Sequence, residues 1–284
     1  MQWWHAILLG IVEGLSEFLP ISSTGHLTVV EKLLGYPIDD AGITAFTAII
    51  QVGAIAAAII YFLRDIVRLA VAWFRGLVSK EARRDVDYRL GWGVIVGSIP
   101  IAIVGLALQK IIEGGLRNLW VVAAALILWS VVLWFADRAS VQSAPRGTPR
   151  GEESMTVMDA LILGLWQCVA LIPGVSRSGA TISGGLFRGI DRVTATRWSF
   201  FLGIPALLAA GGLQAVKASK SISETVGWGA TAIGTIVAFV VAYASIAWLL
   251  RFVAHNRFTA FVIYRVLAGL AVVGLLVTGV VTAR

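Results

Sequence analysis

EGLSEFLPISSTGHL, Glu13–Leu27, sets two carboxylates, four hydroxyls (Ser16, Ser22, Ser23, Thr24), a histidine, a proline and a glycine within 15 residues of an otherwise apolar chain. Upstream, residues 2–19 read as a helix that Pro20 must end, because proline lacks the N–H and clashes with the preceding turn. Downstream, residues 26–34 form a second short apolar piece, closed by Gly35 and Pro37. Neither piece reaches the roughly 20 apolar residues that a membrane span needs. Two half-length helices joined by a polar turn read as a re-entrant hairpin. Such backbone survives at membrane depth only when buried in protein or lining a wet cavity.

The membrane setting comes from the whole chain. Of 284 residues, 58% are hydrophobic and 14% charged, against about 25% charged in a soluble domain. The 30 glycines suit close helix packing in lipid, and the 11 tryptophans suit an interfacial belt. One cysteine, Cys168, excludes an internal disulfide framework and a Cys-rich metal site, and reads as a packed small residue. The net charge of +7 is assigned to loops as an orientation signal, not to nucleic acid, which is not an expected partner. No cleavable signal peptide is expected. The first apolar run starts at Gln2-Trp3-Trp4 without a basic leader and is interrupted by Glu13 and Glu17.

Beyond the first hairpin, spans are expected at Ala41–Leu63, Leu90–Leu108 (with Pro100) and Leu119–Ala136. An interfacial helix is expected around Ile66–Leu77, and a short loop at Gln109–Asn118. Residues 137–156, rich in Pro, Ser, Arg and Glu, read as a linker. The pattern then repeats. Val157–Ile172 is a short apolar piece stopped by Pro173. PGVSRSGAT (Pro173–Thr181) follows as a turn, and residues 180–188 form another short piece. Spans follow at Trp198–Val216, Val226–Leu250 and Phe258–Val281. GIVEGLSEFLP (Gly10–Pro20) lines up with GLWQCVALIP (Gly164–Pro173) with one residue of slippage.

The expected fold is an all-α integral membrane protein with six transmembrane helices and two re-entrant helical hairpins. It forms one polytopic domain: repeat one 1–136, linker 137–156, repeat two 157–284. Three spans are an odd number, so the second repeat is inverted and the hairpin tips meet near the midplane, an arrangement best known in transporters. Fifteen basic residues, in 64–89, 138–150, 188–197 and 251–257, fall on one side. Six (Lys32, Lys110, Arg117, Lys217, Lys220, Arg284) fall on the other. By the positive-inside rule the first side is cytoplasmic. Both termini and the mouth of the first hairpin are then extracytoplasmic.

Glu13 and Glu17, at i and i+4, share one helix face. Such a pair wants a cation, a proton or an arginine nearby, or it is an interfacial face touching water. Oxygen ligands suit Mg²⁺ or Ca²⁺. Ser22, Ser23 and Thr24 with flexible Gly25 lead to His26. A hydroxyl beside the imidazole offers an activated nucleophile, or the histidine acts itself; the plain reading is a hydrogen-bonded packing histidine. Arg177 offers a planar fork of donors that grips phosphate, unless it snorkels to lipid headgroups. Gly174, Ser176, Ser178 and Thr181 add backbone approach, hydroxyls and a helix N-terminus to that anion site. Gln51 and Gln167 line the cavity or hydrogen-bond between helices. His5 and His255 sit at membrane edges.

The segments EGLSEFLPISSTGH and PGVSRSGATISGG resemble the two signature motifs of the bacterial undecaprenyl-diphosphate phosphatase family, also called bacitracin-resistance proteins. The first matches (E/Q)xxxE with its downstream SSTGH, the second PGxSRSxxT. WSFFLGIPALLAAG (198–211) and the element order extend the resemblance over nearly the whole chain. The resemblance implies removal of the terminal phosphate of undecaprenyl diphosphate, recycling the lipid carrier of cell-wall precursors and conferring bacitracin resistance. It implies a site open to the outer face of the bacterial cytoplasmic membrane and dependence on a divalent cation. By motif position, Glu13, Glu17, Ser23, Thr24, His26, Ser176 and Arg177 would be functional residues. The partners expected are a polyprenyl diphosphate lipid and the membrane, with a homodimer left open. The competing reading is a lipid or small-molecule transporter or flippase on the same architecture, which needs no nucleophile. A membrane scaffold leaves the buried charges unexplained.

Overall fold

The computed structural model describes residues 1–37, 40–109, 111, 116, 118–142 and 149–283. The described chain is helical. In order come α1 (Trp3–Ser16), α2 (Ser23–Leu33), α3 (Ala41–Tyr61), α4 (Leu63–Val78), α5 (Val86–Ala107), α6 (Leu119–Gln142), α7 (Val157–Cys168), α8 (Arg177–Phe187), α9 (Arg192–Thr225), α10 (Trp228–His255) and α11 (Thr259–Val277). Five of these, α3, α5, α6, α10 and α11, are long and apolar enough to cross a membrane. The chain is a multi-pass, all-helical membrane protein.

Several boundaries differ from the sequence expectation. Helix α1 stops at Ser16 rather than 19, because Pro20 and the restricted residue before it force the chain into turns. Helix α2 starts at Ser23, not at 26: the Ser22 side chain accepts from the Gly25 amide, so most of the polar turn is the first turn of the helix. Helix α8 likewise starts at Arg177, capped by Ser176, rather than at 180. Helix α6 runs on to Gln142, so the first six residues of the expected linker are helical. Residues 143–148 of that linker lie outside the described residues. So do Lys110, Arg117, Arg146 and Arg284 of the charge tally, and the side chains of Lys217 and Lys220.

Close backbone approach sets the packing. Helix α1 lies on α10, and α7 lies on α5. A Cβ at Gly10 would come within 2.6 Å of the Gly234 carbonyl oxygen, and one at Gly14 within 2.8 Å of that of Ala238. In the other pair a Cβ at Gly97 would come within 2.6 Å of the Ala160 carbonyl oxygen, and one at Gly164 would strike the Gly97 backbone. Small residues are needed because dispersion between close backbones, not the hydrophobic effect, holds helices together in lipid. Helices α9 and α10 pack on α3, and α11 packs on α6.

Two buried aspartates tie the ends of the helices together. Asp137, at 4% exposure, accepts from Arg192 Nε (2.6 Å) and from the Phe258 amide (3.1 Å), joining α6, α9 and α11. Asp159 is fully buried and accepts from Arg150 Nη2 (2.6 Å), Arg188 Nη2 (2.8 Å) and Thr156 Oγ1 (2.7 Å). It thereby joins the start of α7 to the end of α8. A buried carboxylate is tolerated when its lone pairs are filled in this way.

The two short-helix pairs share one geometry at a constant separation of 154 positions. Gly10 matches Gly164, Ser22 matches Ser176, and Gly25 matches Gly179 as the capped amide. Pro20 therefore stands opposite Gly174, not Pro173, and the one-residue slippage of the sequence alignment is removed.

Candidate active site

The breaks of both pairs open into one cavity of about 720 Å³. The first pair contributes Glu17, Ser22, Ser23 and Thr24, and the second Gly174, Ser176 and Arg177. Gln51 of α3 and Ser98 of α5 add polar groups. Ile101, Ala102 and Leu106 of α5 and Pro205, Ala206 and Leu207 of α9 make an apolar flank.

Residues 160 positions apart meet in this cavity. Ser23 Oγ donates to Glu17 Oε2 at 2.5 Å, and Arg177 Nη2 donates to Glu17 Oε1 at 3.3 Å. Both side chains of the ion pair are nearly buried, at 10% exposure for Arg177 and 4% for Glu17. Arg177 Nη1 is fixed by the Ser199 carbonyl at 2.8 Å, while its Nε is buried without a partner. A Cβ at Gly203 would overlap the guanidinium, so that glycine makes the space the arginine occupies. Gly174 is held at φ +99° with no room for a side chain against the Val122 carbonyl, a conformation glycine adopts without steric cost.

The other candidate residues divide by position. Ser178 Oγ donates to the Leu19 carbonyl at 3.0 Å and lies 3.1 Å from Ser176 Oγ. Its one hydrogen is thus used across the hairpins, and Ser176 must be the donor in the serine pair. Thr181 is buried and donates back to the Arg177 carbonyl. Gly25 packs against Val122. None of Ser178, Thr181 or Gly25 is among the cavity-lining residues, and they support the two helix starts from behind. His26 is not among the cavity-lining residues. Its Nδ1 donates to the Ser22 carbonyl at 2.7 Å, and its Nε2 lies 2.7 Å from Tyr264 Oη. No hydrogen bond joins it to Glu17 or Ser23. Gln51 lines the cavity; Gln167 does not. Glu13 and Gln167, matched by the 154-position relation, are both buried with side-chain polar atoms lacking any partner.

A profile of the family described as bacitracin resistance protein BacA matches residues 6–271. The chain belongs to the BacA family. It is 59% identical to the undecaprenyl-diphosphatase of Cutibacterium acnes, with the whole of each chain covered. It is 55% identical to undecaprenyl-diphosphatase 3 of Frankia casuarinae, again over the whole of each chain. It is 52% identical to undecaprenyl-diphosphatase 1 of Streptomyces avermitilis, over 98% of each.

Two features of this BacA-family site bear on the expected cation and on residues the sequence reading passed over. Among the described residues no group of three or more acidic, histidine or cysteine side chains is placed to hold a metal ion. Both Glu17 oxygens are engaged, by Ser23 and Arg177, and Glu13 does not line the cavity. The two glutamates therefore do not fit a ready-made Mg²⁺ or Ca²⁺ site. Gly203, Ser199 and Tyr264 carried no local signal. Arg265 did: it is the lone charge in the apolar segment 258–281, and an ionisable group inside a span is a functional candidate by default.

Proposed function

We propose that this protein hydrolyses undecaprenyl diphosphate to undecaprenyl phosphate and inorganic phosphate, with Ser23 as the nucleophile. The observation that carries this reading is the Ser23–Glu17–Arg177 chain at a cavity where two helix N-termini converge. Helix N-termini and an arginine fork favour the anionic diphosphate. Positioning of this kind dominates phosphoryl transfer. The Ser23 hydroxyl proton passes to Glu17 as Oγ forms a bond to the terminal phosphorus. The bridging P–O bond breaks, and undecaprenyl phosphate leaves as an anion that needs no proton. Water then attacks the phosphoserine, Glu17 returns its proton to Ser23 Oγ, and inorganic phosphate is released. Arg177 and the amides that open α2 and α8 hold the phosphoryl oxygens through both steps. Ser22, Thr24, Gly174 and Ser176 shape the pocket around them. The prenyl chain lies along the α5–α9 flank. A divalent cation, Mg²⁺ or Ca²⁺, would arrive as the counter-ion of the diphosphate.

We infer the matching topology. Helix α9 is a sixth span, and the α1/α2 and α7/α8 pairs are re-entrant hairpins of two inverted repeats, 1–136 and 157–284, about a linker at 137–156. The constant 154-position relation supports it. The site then opens outward from the bacterial cytoplasmic membrane with both termini extracytoplasmic, as the loop charges favour. Reporter fusions at the two termini test the orientation.

The direct test is phosphate release from undecaprenyl diphosphate by purified protein in detergent with a divalent cation. Wild-type protein is expected to turn over, and Arg177→Ala to lose turnover while staying folded. No release by wild-type protein sinks the phosphatase reading.

A further inference from the structure

Arg265, in the second turn of α11, is fully buried. Its guanidinium donates to acceptors on three other segments. Nη1 reaches the Pro20 carbonyl at 3.0 Å. Nη2 reaches the carbonyls of Gly174 (3.0 Å) and Ala125 (3.4 Å), and Nε reaches Ser130 Oγ at 3.3 Å. Pro20 and Gly174 are the matched break points of the two short-helix pairs. Pro20 is three residues from both Glu17 and Ser23, and Gly174 is three residues from Arg177. A buried cation is costly unless its donors are satisfied, and here it is satisfied by the two segments that must stay in register. The planar fork fixes the angle between its acceptors, which a lysine ammonium does not.

We propose that Arg265 is a positioning residue that pins the two hairpin breaks together and so sets Ser23 and Glu17 against Arg177. The kinetic part of this proposal rests on the phosphatase reading; the geometric part does not. A shift at either carbonyl is carried within three residues into the cavity. The same pin opposes rocking of one hairpin against the other, the relative motion that alternating access requires.

The test uses the full chain in lipid nanodiscs: wild type, R265K, R265Q, and R192K as a control at the Asp137 anchor. Two quantities are measured. One is kcat and KM on undecaprenyl diphosphate. The other is the distance distribution between spin labels at Leu33 and Phe187, the far ends of α2 and α8, in a Cys168→Ala background. R265K is expected to fold and to lose about 100-fold in kcat, the scale of a 1 Å misplacement. Its KM is expected to stay within about threefold, the pattern of a lost transition-state alignment, and its label distribution to broaden. R192K is expected to leave kcat and the distribution as in wild type. Wild-type kcat in R265K and R265Q, or an unchanged distribution, overturns the proposal. So does failure of R265K to fold, which would leave Arg265 a purely structural residue. If wild-type protein releases no phosphate, the phosphatase reading has failed, and the label distances still decide the pinning.

Discussion

Ser22 and Ser176 line one cavity and share a positive φ, of 78° and 77°. Each side chain accepts from the amide of the glycine three residues on, Gly25 at 3.4 Å and Gly179 at 3.2 Å. Among the described residues they alone are non-glycines at positive φ. That conformation is strained for an L-residue and persists only where the surroundings demand it. Here it turns two helix N-termini toward one space. Ser176→Ala keeps the strain and loses the cap, so it should destabilise the protein by about 1–2 kcal/mol. Ser176→Gly loses the cap but relieves the strain, and should cost only a few tenths. Denaturant titration of the detergent-solubilised variants distinguishes the two; equal losses would show that the positive φ carries no strain.

The Ser23–Glu17 hydrogen bond predicts a shared fate for its partners. Ser23→Ala removes the nucleophile and Glu17→Gln its base, and each should lower kcat by roughly 10²–10⁴. The double variant should be little worse than either single one, because the two act as a unit. Steady-state phosphate release measures this. Multiplying losses in the double variant would mean that the two residues act independently.

Gly203 bears on catalysis without touching the reacting atoms. In Gly203→Ala the added methyl overlaps the Arg177 guanidinium, which must leave its place between Ser199 and Glu17. Turnover should fall by about 10²-fold, the scale of a 1 Å misplacement, while folding survives because one methyl is added beside a cavity. Gly212, with open space around it, is the matched control: Gly212→Ala should keep wild-type kcat.

Asp159 gives the fold a pH dependence. Burial opposes its charge, but Arg150, Arg188 and Thr156 outweigh burial and hold its carboxyl well below the usual carboxylate range. A folded-state value below the unfolded one means that the unfolded chain binds the proton more readily. The stability from this group is therefore complete above the unfolded value of about 4 and is lost as pH falls below it. Thermal unfolding between pH 7 and 3 should show this loss. Asp159→Asn should be less stable at pH 7 and flatter across the range, because two arginines then lack their partner.

Much of the architecture was legible in the chain because it is local. Apolar run lengths mark the five long helices, and Pro20 and Pro173 mark the breaks. Paired polar stretches inside apolar sequence also marked Glu17, Ser23 and Arg177 before any contact was known. Even so, the helix starts at Ser23 and Arg177 were missed, because polar residues look like a turn when they are in fact a capped first turn.

Tertiary structure decided what each of those groups faces. His26 follows the polar stretch in sequence, yet its ring meets Tyr264, 238 positions away on α11. Glu13 and Glu17 share a helix face, yet only Glu17 reaches the cavity, and there an arginine from the other half takes one of its oxygens. Gly203 and Arg265 matter through residues 26 and 245 positions away. Periodicity, caps and breakers act over a few residues, so the sequence by itself determined the segments and their chemistry. Which side chains meet across them depends on how whole helix faces pack in three dimensions, and only the folded chain settles that.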